Sequence, residues 1–210
     1  MKLSKDAPVM DLVAGPQGSG KSTFFSVTSS GYDAFNIDEH RKRLNNGLSR
    51  PIPPDIQERA IADYEAFIEG HIDTRTSFAI EVTLAREITF EQAKRARSAG
   101  FLLRLTFVAA ELNDCIERVA SRLEAGGHGV PEAKIKETYA ASMKNLSRAV
   151  REFDVVQVYD NSRTVRREGE PKDDKPQLVL ETQRGTITHL ASSLPRWLTE
   201  ALRDIHHLLG

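Results

Sequence analysis

The fold is decided by the stretch Gly15-Pro16-Gln17-Gly18-Ser19-Gly20-Lys21-Ser22. Its spacing satisfies G-x-x-x-x-G-K-[ST], the pattern of a loop that wraps around the phosphates of a nucleotide. Residues 9–14 form a short apolar run typical of a buried parallel strand, and residues 22–27 are predicted to continue as a helix. A loop placed between such a strand and a helix N-terminus presents backbone N–H groups to a phosphate. The stretch therefore predicts a nucleoside triphosphate site in an α/β protein.

Each residue type in this loop suits a different part of the nucleotide. Glycines let the backbone wrap closely around the β-phosphate. Lys21 supplies a positive charge for the β- and γ-phosphates, and the hydroxyl of Ser22 is suited to Mg²⁺. A glycine-rich turn that matches by accident is the alternative, which the flanking strand and helix disfavour. The predicted nucleotide-binding residues are Gly15, Gly18, Ser19, Gly20, Lys21, Ser22 and Thr23, with Ser22 as the metal-binding residue.

Composition limits the function classes that the chain can belong to. Its 210 residues are enough for one α/β domain with a small appendage, and its 29 basic and 30 acidic residues give a formal net charge of −1. This balance disfavours a nucleic acid or an anionic membrane as partner. The sequence has no run of apolar residues long enough for a membrane span, and its single cysteine, Cys115, is predicted to be a buried, inert thiol. We expect a cytoplasmic protein.

Further apolar segments predict the rest of the sheet. Strands are expected at 34–37, 77–83, 101–109 and 154–159, with helices between them and a loop over 41–55. This succession resembles the core of nucleoside-kinase-like P-loop proteins. The resemblance implies an α/β P-loop NTPase fold with a five-stranded, mostly parallel sheet of order 2-3-1-4-5, flanked by helices.

The chain is expected to divide at residue 162. Residues 1–162 are predicted to form the P-loop kinase domain. Residues 163–210 are predicted to pack on the same domain as an appendage, consisting of an exposed charged loop, a hairpin around Arg184-Gly185 and an amphipathic helix over 194–209.

Polar residues near the strand ends are candidates for the chemistry. Asp38 follows the predicted second strand, and the carboxyl ends of strands line the ligand crevice in open α/β sheets. Glu81 lies inside an apolar strand, where a carboxylate is costly unless it is partnered or placed at the crevice; a solvated strand end is the alternative. Arg118 and Arg122, four residues apart on a predicted helix, form either an anion clamp or a solvated helix face.

A series of motifs in order carries a resemblance to the zeta-toxin-like P-loop kinases, over about residues 8–162. After the phosphate loop come Asn36-Ile37-Asp38-Glu39 and Phe78-Ala79-Ile80-Glu81-Val82-Thr83-Leu84. The later motifs are Arg118-Val119-Ala120-Ser121-Arg122, Gly126-Gly127-His128-Gly129-Val130-Pro131, Asn145-Leu146 and Tyr159-Asp160-Asn161-Ser162.

The resemblance implies an activity and a set of roles. Members of known activity transfer the γ-phosphate of ATP or GTP, with Mg²⁺, to the 3′-hydroxyl of a UDP-N-acetyl amino sugar, and a small helical antitoxin is the implied partner. Lys21 and Ser22 are similar to the residues that hold nucleotide and Mg²⁺, Asp38 to the base and Arg118 to the transition-state arginine. The implied acceptor-binding residues are Glu81 and Thr83.

The sequence departs from the family pattern where a second lid arginine is expected. The Gly-Gly-His-Gly-Val-Pro turn occupies that place, so that Arg122 or Lys134 is the substitute cation. His128 in this turn is a candidate contact for phosphate or acceptor, against a structural or solvated histidine. Two alternatives to a kinase of UDP-amino sugars stay open at this point: a kinase of another small molecule (nucleoside, sugar or antibiotic), and a non-catalytic nucleotide-binding module.

Overall fold

A single seven-stranded sheet forms the centre of the computed structural model, which describes residues 6–124, 129–163 and 175–203. The strand order is β2-β3-β1-β4-β5-β6-β7. The strands are β1 Val9–Ala14, β2 Asp33–Phe35, β3 Phe78–Val82, β4 Leu102–Ala109, β5 Val155–Asp160, β6 Gln177–Gln183 and β7 Thr186–Leu190. The first five strands are parallel and follow the predicted order 2-3-1-4-5.

The C-terminal hairpin extends this sheet, which therefore has seven strands where five were predicted. Strand β6 pairs antiparallel with β5, and β7 pairs antiparallel with β6. The turn between them is Arg184-Gly185, whose φ angles of 52° and 75° suit the primed turns of two-residue hairpins. Residues Val179 and Leu180 of β6 are buried, so the hairpin adds to the core while it covers the edge of β5.

Seven α-helices lie in the described residues. They are α1 Lys21–Phe24, α2 Ile37–Leu44, α3 Pro54–Thr74, α4 Glu87–Ser98, α5 Leu112–Glu124, α6 Glu132–Glu152 and α7 Arg196–Ala201. Helix α7 is the described part of the predicted C-terminal helix, since residues after 203 lie outside the described residues. No helix in the described ranges is long and apolar enough to cross a membrane.

Two sequence predictions around the phosphate loop were wrong. The helix after the loop ends at Phe24 and a 3-10 helix follows at Val27–Ser30, because the aromatic and β-branched residues of this segment are weak helix formers. Strand β2 ends at Phe35, and residues predicted as a strand end and a loop begin helix α2. Asn36 caps that helix, because its side-chain oxygen accepts hydrogen bonds from the backbone N–H groups of Asp38 (3.0 Å) and Glu39 (3.2 Å).

An ion pair inside the sheet explains two charged residues in otherwise apolar strands. Asp11 of β1 lies opposite Arg104 of β4 in the parallel register. The guanidinium donates from Nε to Asp11 Oδ1 at 2.9 Å and from a terminal nitrogen to Oδ2 at 2.5 Å, and this bonding raises the pKa of Arg104. The pair satisfies a carboxylate that is only 5% exposed.

Candidate active site

The phosphate loop lies at the carboxyl end of β1, between the ends of β3 and β4. Its glycines are required where the loop passes neighbouring backbone. A Cβ atom at Gly15 would lie 1.9 Å from the carbonyl oxygen of Val108, and one at Gly18 would lie 2.3 Å from that of Cys115. The φ angles of 141° and 78° at these two positions also disfavour any other residue. The loop is therefore fitted against β4 and α5.

Lys21 lies beneath this loop with 8% of its surface exposed. Its Nζ atom donates to the carbonyl oxygen of Pro16 at 3.3 Å and lies 4.0 Å from Oε1 of Glu81. Burial lowers the pKa of Lys21, while the charges of Glu81 and Asp38 oppose that shift. The lysine is thus a buried cation whose neighbours favour its charged form.

Ser22 and Glu81 are the oxygen donors best placed for a divalent cation. The Ser22 hydroxyl lies 3.0 Å from each carboxylate oxygen of Glu81, because β3 runs beside β1 in the sheet. A hydroxyl and a carboxylate fit Mg²⁺, which binds proteins through few ligands and takes the rest from water and phosphate. The described residues contain no cluster of three or more His, Cys, Asp or Glu with metal-binding geometry, so a metal here would need the oxygens of a nucleotide.

Asp38 lies in the first turn of α2 and faces the same cavity as Lys21, Ser22 and Glu81. Its side chain is 76% exposed, and Oδ1 accepts a hydrogen bond from Arg41 at 2.9 Å. The cap at the start of α2 fixes the backbone of Asp38, and Arg41 one turn later fixes its carboxylate. The side chain is therefore held at the cavity while it stays open to a ligand.

The cavity has a volume of about 460 Å³ and extends from the phosphate loop to α2 and the chain that follows it. Besides Lys21, five cationic side chains line it, those of Arg41, Lys42, Arg50, Arg122 and Lys134. Arg41 contacts Asp38, and the charge of Arg122 acts on Lys21.

The remaining predicted site residues lie in different places. Thr23 lines the cavity, and Ser19 is fully buried in the loop. Arg118 is outside the residues that line the cavity; its guanidinium donates to the carbonyl oxygens of Gly18 (3.4 Å) and Asn161 (2.7 Å). The carbonyl oxygen of Thr83 accepts a hydrogen bond from Ser142, and Thr83 does not line the cavity.

His128 and the first residues of the Gly-Gly-His-Gly-Val-Pro turn lie outside the described residues, which omit 125–128.

Sequence reasoning missed several residues of this site. Asn161 donates from Nδ2 to the carbonyl oxygen of Ser19 at 2.7 Å. The resemblance includes its motif but implies no role for this residue. A polar residue directly after a buried strand was the available signal. Arg41, Lys42 and Arg50 lie in the predicted loop over 41–55, and nothing in the local sequence pattern shows that they line a cavity with Asp38.

The family model described as zeta toxin matches residues 2–168. The chain belongs to the zeta toxin family. Membership of this family supports a nucleotide-dependent kinase-type function. A search of curated proteins found no significant match.

Solved structures with similar folds include chains of a toxin–antitoxin system, of the AvrRxo1-ORF1:-ORF2 complex and of a putative kinase. A chain of the PezAT toxin–antitoxin system of Streptococcus pneumoniae is 16% identical, with a TM-score of 0.57 over 100% of this chain and 90% of that chain. A chain of the AvrRxo1-ORF1:-ORF2 complex is 15% identical, with a TM-score of 0.63 over 94% of this chain and 63% of that chain. A putative kinase from Chloroflexus aurantiacus is 17% identical, with a TM-score of 0.51 over 64% of this chain and 80% of that chain.

At these identities the likeness shows the fold alone. The zeta toxin family member described here spans about three fifths of the length of the AvrRxo1 chains that it matches. A related structure of that complex is described as containing ATP.

Proposed function

We propose that this zeta toxin family member is an ATP- or GTP- and Mg²⁺-dependent kinase that phosphorylates a hydroxyl of a UDP-N-acetyl amino sugar. The observation that carries the proposal is the single cavity shared by Lys21, Ser22, Glu81 and Asp38. A phosphate-binding cation, two metal-binding oxygens and a carboxylate base are what phosphoryl transfer requires of a protein.

The donor half of the cavity would hold the nucleotide. Lys21 and the amides of the phosphate loop neutralise the β- and γ-phosphates. Ser22 and Glu81 would hold Mg²⁺, which supplies further neutralisation of the phosphate oxygens. Arg122 lines the cavity, whereas Arg118 contacts the loop backbone, so we assign to Arg122 the charge that reaches the γ-phosphate.

The acceptor half would activate the hydroxyl. Asp38 accepts the proton of the acceptor hydroxyl as its oxygen bonds to the γ-phosphorus. The bond between that phosphorus and the bridging oxygen of the β-phosphate breaks, and the nucleoside diphosphate leaves. Arg41 holds the Asp38 carboxylate in place through the 2.9 Å hydrogen bond.

The charge of the acceptor half favours an anionic acceptor. Arg41, Lys42 and Arg50 line the cavity beside Asp38. Positively charged side chains favour an acceptor that brings phosphate oxygens into the cavity. A UDP-sugar carries such oxygens, whereas a free sugar or nucleoside does not.

A panel of acceptors tests this proposal. Formation of ADP from ATP is measured with UDP-N-acetylglucosamine, UDP-glucose, uridine and gluconate, and nucleotide binding is measured by calorimetry. We expect turnover with the UDP-sugars and at most about one hundredth of it with the neutral nucleoside, since charge-assisted contacts are lost. Nucleotide binding without turnover on any acceptor would contradict the proposal and favour the non-catalytic module.

We also propose that a small helical antitoxin blocks the nucleotide site and that the kinase acts in the cytoplasm, where ATP is abundant. Support comes from the toxin–antitoxin description of the PezAT structure. Competition between a candidate antitoxin and ATP in a calorimetric titration would test this partner.

A further inference from the structure

A side chain that belongs to none of the predicted site residues contacts the phosphate loop on its side facing away from the cavity. We propose that Asn161 is a positioning residue for this loop and that Trp197 of α7 holds Asn161 in place. The inference rests on the proposed nucleotide site, and it assigns a role to the segment that follows the kinase core.

Asn161 contacts the loop through its side-chain amide. Its Nδ2 atom donates to the carbonyl oxygen of Ser19 at 2.7 Å. A Cβ atom built on the next residue, Gly20, would lie 2.3 Å from the same Nδ2 atom, so the Asn161 amide lies close against this part of the loop. The backbone N–H of Asn161 donates to the carbonyl oxygen of Ala109 at 2.7 Å. Asn161 is thereby fixed to the end of β4 while its amide meets the loop.

The contact determines the direction of one loop amide. In a trans peptide, the carbonyl of one residue and the N–H of the next point in opposite directions. When Asn161 holds the Ser19 carbonyl, the N–H of Gly20 points away from Asn161. Gly20 lines the nucleotide cavity. The hydrogen bond therefore pre-orients a donor for phosphate before the nucleotide arrives, which lowers the ordering cost of binding.

Arg118 also contacts the phosphate loop. Its guanidinium donates to the carbonyl oxygens of Asn161 (2.7 Å) and Gly18 (3.4 Å). Two consecutive loop carbonyls, of Gly18 and Ser19, are thus held by Arg118 and Asn161. Both contacts are made to backbone atoms on the side of the loop that faces α5 and β5.

Trp197 connects the segment around Asn161 to helix α7. Its indole Nε1 donates to Oδ1 of Asp160 at 2.9 Å, and the side chain is only 3% exposed. The same Asp160 oxygen accepts hydrogen bonds from the backbone N–H (3.1 Å) and hydroxyl (2.6 Å) of Ser162. Asp160 and Ser162, which flank Asn161, are therefore joined through the Asp160 carboxylate, and Trp197 of α7 holds that carboxylate.

The experiment measures ATP affinity in variants of the full chain. Asn161→Ala and Asn161→Leu remove the donor, and Leu keeps most of the volume. We expect each to weaken ATP binding by about 3- to 10-fold, as for the loss of one ordinary hydrogen bond, and the KM for the acceptor to stay within about twofold. Trp197→Phe keeps the aromatic ring and removes the indole donor, and we expect about a threefold loss in the same direction.

The control is Gln157→Ala, which removes a side-chain amide from β5, the strand that ends just before Asn161. Gln157 donates to Glu181 at 2.8 Å, away from the loop. We expect this variant to bind ATP like the wild type. A purely structural role for Asn161 would lower the melting temperature and the active fraction and leave the affinity of the folded protein unchanged.

Two results would overturn the inference. Wild-type ATP affinity in a folded Asn161 variant would remove the role of Asn161, and wild-type affinity in Trp197→Phe would remove the role of α7. If both Asn161 variants fail to fold, Trp197→Phe alone decides, and unchanged affinity there counts against the proposal. Calorimetric ATP binding needs no acceptor, so failure of the proposed kinase reaction remains distinguishable from failure of this inference.

Discussion

Glu81 is in contact with both of the loop residues that carry the nucleotide chemistry. The resemblance implied that it binds the acceptor, whereas the structure puts its carboxylate 3.0 Å from the Ser22 hydroxyl and 4.0 Å from the Lys21 ammonium. A carboxylate in that position repels phosphate unless a divalent cation lies between them. Its position is therefore better explained by the metal than by the acceptor.

Glu81→Gln should make ATP binding less dependent on Mg²⁺. The substitution keeps the shape and removes the charge, so Mg²⁺ loses a ligand and metal-free ATP loses a repulsion. We expect the ratio of ATP affinities with and without Mg²⁺ to fall by about tenfold, equal to about 1.4 kcal/mol. Calorimetric titrations with and without Mg²⁺ measure it. Glu65→Gln on the exposed surface of α3 is the control, and an unchanged ratio in the Glu81 variant would contradict the assignment.

Cys115 should be unreactive in the folded protein. It is fully buried, as the sequence predicted, and burial raises the pKa of its thiol to about 12. Because the folded-state pKa lies above the ordinary value of 9.0, the thiol's contribution to stability is complete below pH 9.0 and is lost as pH rises toward 12. Ellman's reagent at pH 8 should label the chain only after unfolding in guanidinium, and rapid labelling of the native protein would show the burial to be wrong.

At the scale of elements, α2 shows how a helix can escape sequence analysis. The apolar residues Phe35 and Ile37 favoured a strand over 34–37, but the side chain of Asn36 caps a helix that begins at Ile37. Acidic residues in its first turn and basic residues in its last turn suit the helix dipole. The sequence contains both the capping residue and this order of charges, but the two apolar residues favoured a strand.

Asn36→Ala should impair catalysis more than stability. Removing an N-cap costs about 1 kcal/mol of unfolding free energy. The same change frees the backbone of Asp38, so turnover should fall by about tenfold or more while ATP affinity changes little. Asn36→Asp keeps a capping oxygen and should restore both properties. Urea unfolding measures the stability of the two variants, and steady-state kinetics measure their turnover. Equal turnover in Asn36→Ala and the wild type would contradict a role of the cap in catalysis.

Across the whole molecule, the parallel core was predictable and its surroundings were not. The phosphate loop and the main helices follow from local patterns that agree with one another, and the strand order follows from the resemblance to nucleoside-kinase-like P-loop proteins. The hairpin was expected as an appendage, because pairing of β6 with the edge of β5 is a contact between distant segments. The apolar face of α5 is only partly covered, since Val119 is buried but Leu123 is 58% exposed.

Nucleotide binding should stabilise the entire chain. Residues that would hold the nucleotide come from the phosphate loop, α1, β3 and α5, so a bound nucleotide joins several elements that are distant in sequence. At 100 times its Kd, MgATP should add about 2.7 kcal/mol, or about 5–10 °C in Tm for a protein of this size. Lys21→Ala should abolish the shift in a thermal melt and Lys144→Ala should retain it. An equal shift in both variants would place the nucleotide elsewhere.

The central claim is that one cavity joins a phosphate donor site to the base Asp38. The direct measurement is transfer of label from [γ-³²P]ATP to UDP-N-acetylglucosamine by the wild type, Asp38→Asn and the exposed control Asp73→Asn. We predict a labelled UDP-sugar with the wild type and with Asp73→Asn, and a turnover at least about 100-fold lower with Asp38→Asn, as expected for loss of a general base. Full transfer by Asp38→Asn, or no labelled sugar with the wild type, would contradict the account.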